Sequence, residues 1–245
     1  MRVWGATDRG LVRQQNEDAF SHFVLSGAGG EEVYFFAVAD GMGGLEAGEV
    51  ASFIALRDIG RVVKEEPLGS STDVPSLLVR AFCEANRRIY EVGCGRGSGS
   101  MGTTVTAGLV MGGTLYIGHV GDSRAYRFTG NSLEQLTEDH SLVGQMVRNG
   151  EITETEAMGH PRRNILTHAL GARPECLVQR VEVQLVPGDL VLLCTDGLTG
   201  VVSSEEISCE LRDRAPGDAL LHSLIDKAKG RGGPDNITVV LYEHQ

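Results

Sequence analysis

Thr103-Thr-Val-Thr-Ala-Gly-Leu-Val-Met111, Gly112-Gly113, Thr114-Leu-Tyr-Ile-Gly-His-Val120, Gly121-Asp122 and Ser123-Arg-Ala-Tyr-Arg-Phe128 follow one another without a break. The three longer runs are rich in β-branched and aromatic residues, the composition of strands. Gly112-Gly113 reads as a two-residue hairpin turn, and Gly121-Asp122 as an equally tight link. Links this short leave no room for a crossover helix, so neighbouring strands are expected to run antiparallel. A doubly wound parallel sheet is thereby excluded. Further strand signals lie at Glu32–Ala39, Leu177–Leu185, Asp189–Thr195 and Ile237–Tyr242.

Helical spacing occupies the gaps between strands. Gly48–Glu66 repeats apolar residues at Val50, Ile54, Ile59 and Val62, and Asp73–Val92 does so at Leu78, Phe82, Ala85, Ile89 and Val92. Thr72 or Asp73 can cap the second helix, with Pro75 in its first turn. Ser204–Arg212 and Gly217–Lys229 are shorter helical patterns. Strands in succession with helices grouped apart predict a layered α+β architecture, helices outside stacked antiparallel sheets. Gly93–Ser100 (GCGRGSGS) lacks the spacing of a phosphate-binding loop and reads as a flexible link. Ser141–Pro174 is polar, with two short helical patterns, and reads as a flap over a site. No repeat and no domain boundary is visible, so residues 1–245 are expected to form one domain with a flap at about 141–174.

Composition narrows the function. A chain of 245 residues buries roughly 75% of its unfolded surface on folding and needs no disulfide to hold a core. The net charge of −11 argues against nucleic acid as a partner, since phosphate backbones call for basic stripes. Five scattered cysteines (Cys83, Cys94, Cys176, Cys194, Cys209) without a C-x-x-C suit free thiols in a reducing compartment. With no apolar run near 18 residues and no apolar leader, a cytoplasmic protein is expected; a catalytic part of a longer membrane protein is also compatible with the sequence.

Four acidic residues stand at turns: Asp18 in Arg13-Gln-Gln-Asn-Glu-Asp18, Asp40 in Val38-Ala-Asp-Gly-Met-Gly-Gly44, Asp196 in Cys194-Thr-Asp-Gly-Leu198, and Asp235 in Gly232-Gly-Pro-Asp-Asn236. Carboxylates gathered this way repel one another unless a hard divalent cation lies among them, and all-oxygen ligands favour magnesium or manganese over zinc. At a strand end Asp40 is aimed rigidly, and the glycines after it let the Gly41 carbonyl approach an ion. One such corner is most often an ordinary turn; a second at Asp196-Gly197 and a third at Asp235 shift the balance to a metal-dependent hydrolase.

Seven segments in order resemble the metal-dependent protein phosphatase family (2C-type serine/threonine phosphatases) in its bacterial form. They are Arg13–Asp18, Val38–Gly44, Met101–Thr104, Gly118–Arg124, Leu136–Ser141, Cys194–Leu198 and Gly233–Thr238, covering nearly the whole chain. The resemblance implies a four-layer α/β-β/α sandwich with a binuclear Mn²⁺ or Mg²⁺ site at one end. On the matching positions Asp40 bridges both ions, Gly41 offers its carbonyl, and Asp196 and Asp235 complete the first ion's shell. Glu17 and Asp18 hold metal-bound waters, Arg13 binds the substrate phosphate, and Asn236 supports Asp235. Asp122, with Asp196, matches the place of a third, weaker ion. The implied reaction is hydrolysis of phosphoserine or phosphothreonine by a water or hydroxide bridging the metals, in a monomer that opposes a Ser/Thr kinase. Leu45 and Met42 stand where relatives carry a histidine, which leaves a metal-bound water as the expected general acid.

Other chemistries fit poorly. No cysteine begins a Cys-x5-Arg loop, and Gly121-Asp-Ser-Arg-Ala125 is not a G-x-S-x-G elbow. The seven histidines contain no H-x-x-x-H pair for zinc. His119 reads as a packed strand residue, Cys194 as a buried strand thiol, and Arg162-Arg163 as a solvated pair. Two alternatives stay open: a phosphatase of small phosphorylated metabolites, and a non-catalytic scaffold of the same fold.

Overall fold

In a computed structural model, described for residues 3–43, 47–96, 101–213 and 217–245, the strands form two sheets. One has the order β1 (Val3–Asp8), β11 (Ile237–Glu243), β10 (Leu190–Cys194), β7 (Arg124–Thr129), β8 (Ser132–Gln135). The other has the order β2 (Asp18–Ser26), β3 (Glu32–Met42), β5 (Val105–Met111), β6 (Thr114–Val120), β9 (Gln179–Gln184). The short β4 (Gly102–Thr103) pairs with the end of β3. Every strand pair among the described residues is antiparallel.

The Gly112-Gly113 hairpin forms as expected, with Met111 opposite Thr114 and both glycines at positive φ, the backbone of a type I′ turn. The Gly121-Asp122 link does not join paired neighbours. It carries the chain from β6 in one sheet to β7 in the other. Gly121 has φ 118°, and a Cβ there would lie 2.4 Å from the Thr104 Cβ, so the switch needs glycine. Three strands escaped the sequence reading. β1 and β2 lie at sheet edges with mostly half-buried residues, and β8 is a polar edge; none alternates clearly.

Three apolar layers hold the sandwich. Between the sheets, Phe36 stacks on Tyr242 with ring centroids 5.3 Å apart, beside Val38, Ile117, Val191 and Val240. Outside β2–β9 lie α1 (Ala47–Glu65) and α2 (Val74–Arg96), packed through Ile59, Leu78, Phe82 and Ile89. Outside the other sheet lie α6 (Ser204–Arg212) and α7 (Gly217–Gly230), packed through Ile207, Leu220 and Leu224. Asp73 caps α2, its Oδ1 accepting the Ser76 N–H at 3.1 Å. The helix runs on through Gly93–Arg96, which the sequence had suggested was a link; residues 97–100 lie outside the described residues. Among the described residues no helix is long and apolar enough to cross a membrane, and all five cysteines are free thiols.

The 141–174 segment carries α3 (Leu142–Arg148) and α4 (Glu154–Met158), capped by the side chains of Ser141 and Thr153. The isolated bridge Ser141–Leu166 closes the segment on itself, and Thr103–Leu170 ties it to the body. Buried Asn86 on α2 accepts the Gly171 N–H at 2.7 Å and donates to the carbonyls of Arg173 and Pro174 at 3.0 Å each.

Candidate metal centre

Strand register gathers the acidic corners at one end of the sandwich. Asp18 lies directly opposite Asp40 in the β2–β3 pair. Thr104 N–H donates to the Asp40 carbonyl at 2.9 Å, and Asp40 N–H to the Thr104 hydroxyl at 3.1 Å. β10 pairs with β11 and β7 so that Cys194 faces Val239 and Arg124. Asp196, Asp235 and Asp122, each just outside those strands, therefore project from the same end. Asp196 opens α5 (Asp196–Thr199). Backbones pass so closely here that a Cβ on Gly41 would lie 2.1 Å from the Gly48 carbonyl oxygen, and one on Gly197 1.8 Å from that of Asn236. The glycine after Asp40 and the one after Asp196 are packing requirements.

Hydroxyls and an amide brace the carboxylates. Thr195 donates its hydroxyl to Asp18 Oδ2 at 2.8 Å, and the Thr238 N–H donates to that same hydroxyl at 3.0 Å. Asn236 ties down the loop that bears Arg13 and Glu17. Its Oδ1 accepts the Glu17 N–H, and its Nδ2 donates to the carbonyls of Arg9 and Gln15, all at 2.9 Å. Asn236 supports Asp235 only through its own backbone N–H, 2.9 Å from Asp235 Oδ1. Arg13 Nη2 reaches Asp235 Oδ2 at 2.8 Å and stays half exposed. The Gly48 N–H serves the Glu17 carboxylate.

Electrostatics set this end apart. Burial pushes Asp18 up to about 7, partly offset by the hydroxyls of Thr238 and Thr195. Burial pushes Asp40 well above the carboxylate range, reinforced by the charges of Asp18, Asp196, Asp122 and Asp235. Asp122 is raised by burial and by Asp196, and Asp196 rises to about 6 through burial and Asp235. Glu17 is also raised, first by burial. Burial and like charge both penalise the ionised form.

The residues fit a divalent cation. Asp18 Oδ1 and Asp196 Oδ1 are the two buried side-chain polar atoms without a hydrogen-bond partner among the described residues, an unusual cost in a folded chain. The donors are all oxygen, the preference of magnesium and manganese. As they stand, no three acidic, His or Cys side chains among the described residues form a group that could hold an ion. Hydrogen bonding from Asp40 partly offsets the rise at Asp196, and Asp235 is held by Arg13. The hydroxyls of Thr104, Thr195 and Thr238 were missed in the sequence; their signal was a polar residue inside an otherwise apolar strand motif.

The family model for protein phosphatase 2C matches residues 10–228. The chain belongs to the protein phosphatase 2C family. It is 39% identical over 239 residues to the serine/threonine phosphatase Stp of Listeria welshimeri, covering 97% of this chain and 93% of that one. It is 34% identical over 241 residues to the protein phosphatase PhpP of Streptococcus pneumoniae, covering 98% and 96%. Among solved structures, the Streptococcus agalactiae serine/threonine phosphatase superposes with a TM-score of 0.90 at 34% identity, over 99% of both chains. The Mycobacterium tuberculosis phosphatase PstP gives 0.86 at 37%, over 100% of this chain and 98% of that one. The PstP catalytic domain in complex with two manganese ions gives 0.84 at 36%, over 99% and 97%.

Membership makes the chain a metal-dependent protein phosphatase and accounts for the two antiparallel sheets between helical layers. In this 2C-type phosphatase Met42 is the last residue of β3, paired with Gly102, and Leu45 lies outside the described residues, as does Gly44 at the end of its motif. Arg124 and Asp139, from two other motifs, form a largely buried ion pair with Nη2–Oδ2 at 2.7 Å. His119 is buried and Cys194 fully enclosed, as their strand positions suggested. Arg163 donates to the Met158 carbonyl at 2.9 Å.

Proposed function

We propose that this chain hydrolyses phosphoserine and phosphothreonine in proteins, as one catalytic domain spanning residues 1–245 with a flap at about 141–174. The observation that carries the reading is the pair of orphaned oxygens, Asp18 Oδ1 and Asp196 Oδ1, in a group where burial raises the pKa values of Asp18, Asp40, Asp122 and Asp196. Asp40, the Gly41 carbonyl, Asp196 and Asp235 would hold two Mn²⁺ or Mg²⁺ ions, with Asp122 and Asp196 serving a third. Bound there, divalent ions lower the pKa of water and neutralise phosphoryl charge.

The chain's own groups do the rest. Arg13 offers a planar fork to two phosphate oxygens, which a lysine matches less well, and helps offset charge on the equatorial oxygens as the leaving group departs. In releasing Asp235 to do so, it frees that carboxylate for an ion. Glu17 and Asp18 accept hydrogen bonds from water at the centre, and Thr195 keeps Asp18 oriented. Asn236 fixes the loop so that Arg13 and Glu17 arrive together. Phosphoproteins made by a partner Ser/Thr kinase are the expected substrates of a monomeric, cytoplasmic enzyme.

The test is a substrate panel. Phosphothreonine peptides, sugar phosphates and p-nitrophenyl phosphate are each supplied with manganese, with magnesium and with excess chelator. Peptide turnover that disappears with chelator supports the proposal. Turnover confined to sugar phosphates replaces it with the metabolite reading, and no turnover of any substrate with the scaffold reading.

A further inference from the structure

Beside the carboxylates the surface is hollowed into a cavity of about 290 Å³, at the small end for a ligand site. Asp122 and Asp196 stand on its edge, so it opens onto the candidate metal centre. Its far wall comes from the flap: Val143 and Val147 of α3, Ala157 and Met158 of α4. The rim is charged, and two of its three arginines are paired with carboxylates. Arg124 grips Asp139 through Nε–Oδ1 at 2.9 Å and Nη2–Oδ2 at 2.7 Å. Arg148 Nη1 donates to the Asp139 carbonyl at 2.9 Å, and its Nε lies 3.4 Å from Glu138 Oε2. Arg163 donates through Nη1 to the Met158 carbonyl at 2.9 Å. Glu154 adds a further carboxylate to the lining. Most of the exposed lining is apolar.

We infer that this cavity receives an apolar side chain of the substrate, a few residues from the phosphorylated one, and rejects an acidic side chain at that place. The inference rests on the phosphatase reading above. An extended chain advances about 3.3 Å per residue, and the carboxylate centre forms the cavity's edge, so a near neighbour of the phosphoresidue is what reaches it. A small phosphorylated metabolite has nothing to put there. Met158, unbranched and polarizable, adapts to apolar side chains of different outline. A carboxylate in the same place meets Glu138, Asp139 and Glu154, while Arg124 and Arg148 are already paired with Asp139 and Glu138.

Matched phosphothreonine peptides test this, with one Leu or one Glu walked through the near positions on either side of the phosphoresidue. At one position kcat/KM with manganese should favour Leu over Glu by roughly tenfold or more. Ala157→Phe, which fills the cavity, and Val147→Lys, which puts a cation on its wall, should each bring that ratio close to one or below. The ratio compares two substrates on the same enzyme, so a variant that is merely slow or partly unfolded leaves it unmoved. A flat ratio at every position, or a preference that survives both substitutions, overturns the cavity assignment. Hydrolysis of sugar phosphates with no peptide turned over overturns the phosphatase reading instead.

Discussion

Two clusters of titratable side chains lie close together in this fold, and they handle burial in opposite ways. In one, Asp18, Asp40, Asp122 and Asp196 are held above the carboxylate range, and two of their oxygens have no partner. In the other, His119, His140 and His168 stand ring against ring, with centroids 4.9 and 5.3 Å apart. Burial, with His140 beside it, holds His119 down at about 3. Yet His119 is satisfied: as a neutral ring its Nδ1 accepts the Thr106 hydroxyl at 2.8 Å and its Nε2–H donates to the Glu138 carbonyl at 3.1 Å. Both clusters suffer desolvation. Only the carboxylates are left with unfilled hydrogen-bonding capacity and mutual repulsion, and the proposed cation site rests on that combination where a shifted pKa alone would not carry it.

The largest effect expected from this contrast is at Asp40. Asp40→Asn should lower p-nitrophenyl phosphate hydrolysis with saturating manganese on the order of a thousandfold. The same change removes a buried like charge, so the metal-free protein should become more resistant to urea at pH 8. A packing residue would lose activity and stability together. Retention of activity within tenfold of wild type would break the distinction between the clusters.

Next in size is the pH response without metal. A carboxylate with a raised pKa in the fold is protonated there while the unfolded chain has already ionised. Stability contributed by Asp18 and Asp196 is therefore fully present below about 4 and is lost as pH rises through about 6 to 7. The slope is about 1.4 kcal/mol per pH unit for each proton held only by the fold. Urea unfolding in chelator should thus show stability falling from pH 5 to pH 8, and manganese should abolish that fall. A metal-free protein equally stable at both pH values would mean that the carboxylates do not repel in the fold.

Much of this was legible in the chain, and the failures have physical causes. Gly112-Gly113 and Gly121-Asp122 carry the same local turn chemistry, yet one makes a hairpin and the other changes sheets. A turn signal reports backbone curvature; which sheet the next strand joins depends on long-range packing. Edge strands β1 and β2 bury too little of either face to alternate in sequence. The Asp-Gly corners were readable because each glycine answers a close backbone approach. The bracing by Thr195 and the reach of Asn236 across 219 to 227 residues exist only once β10, β11 and the Arg9–Glu17 loop are brought together.

The histidine cluster responds with the opposite sign and a smaller size. His119 is kept neutral in the fold while the unfolded chain takes up a proton below about 6.5. Its contribution is present above that pH and lost as pH falls toward about 3. With manganese bound, when the carboxylates no longer titrate, wild type should lose about 1–2 kcal/mol more than His119→Gln between pH 6.5 and 5. Urea midpoints of the two proteins that track one another across that range would remove His119 as the source.

Arg13 gives the finest test, because its proposed role lies with the carboxylate cluster while its burial places it at the surface. Its pair with Asp235 is half exposed on the arginine side, and such pairs contribute only about 0–1 kcal/mol to stability. Arg13→Ala should therefore leave thermal unfolding almost unchanged while raising KM for phosphopeptide about tenfold, the scale of a charge-assisted hydrogen bond. Arg13→Lys should fall between, keeping the charge and losing the fork. An unchanged KM in Arg13→Ala would detach the residue from substrate and leave it as a tether for Asp235. A large drop in unfolding temperature would show that the Arg9–Glu17 loop needs the pair to fold, which the three hydrogen bonds of the Asn236 side chain argue against.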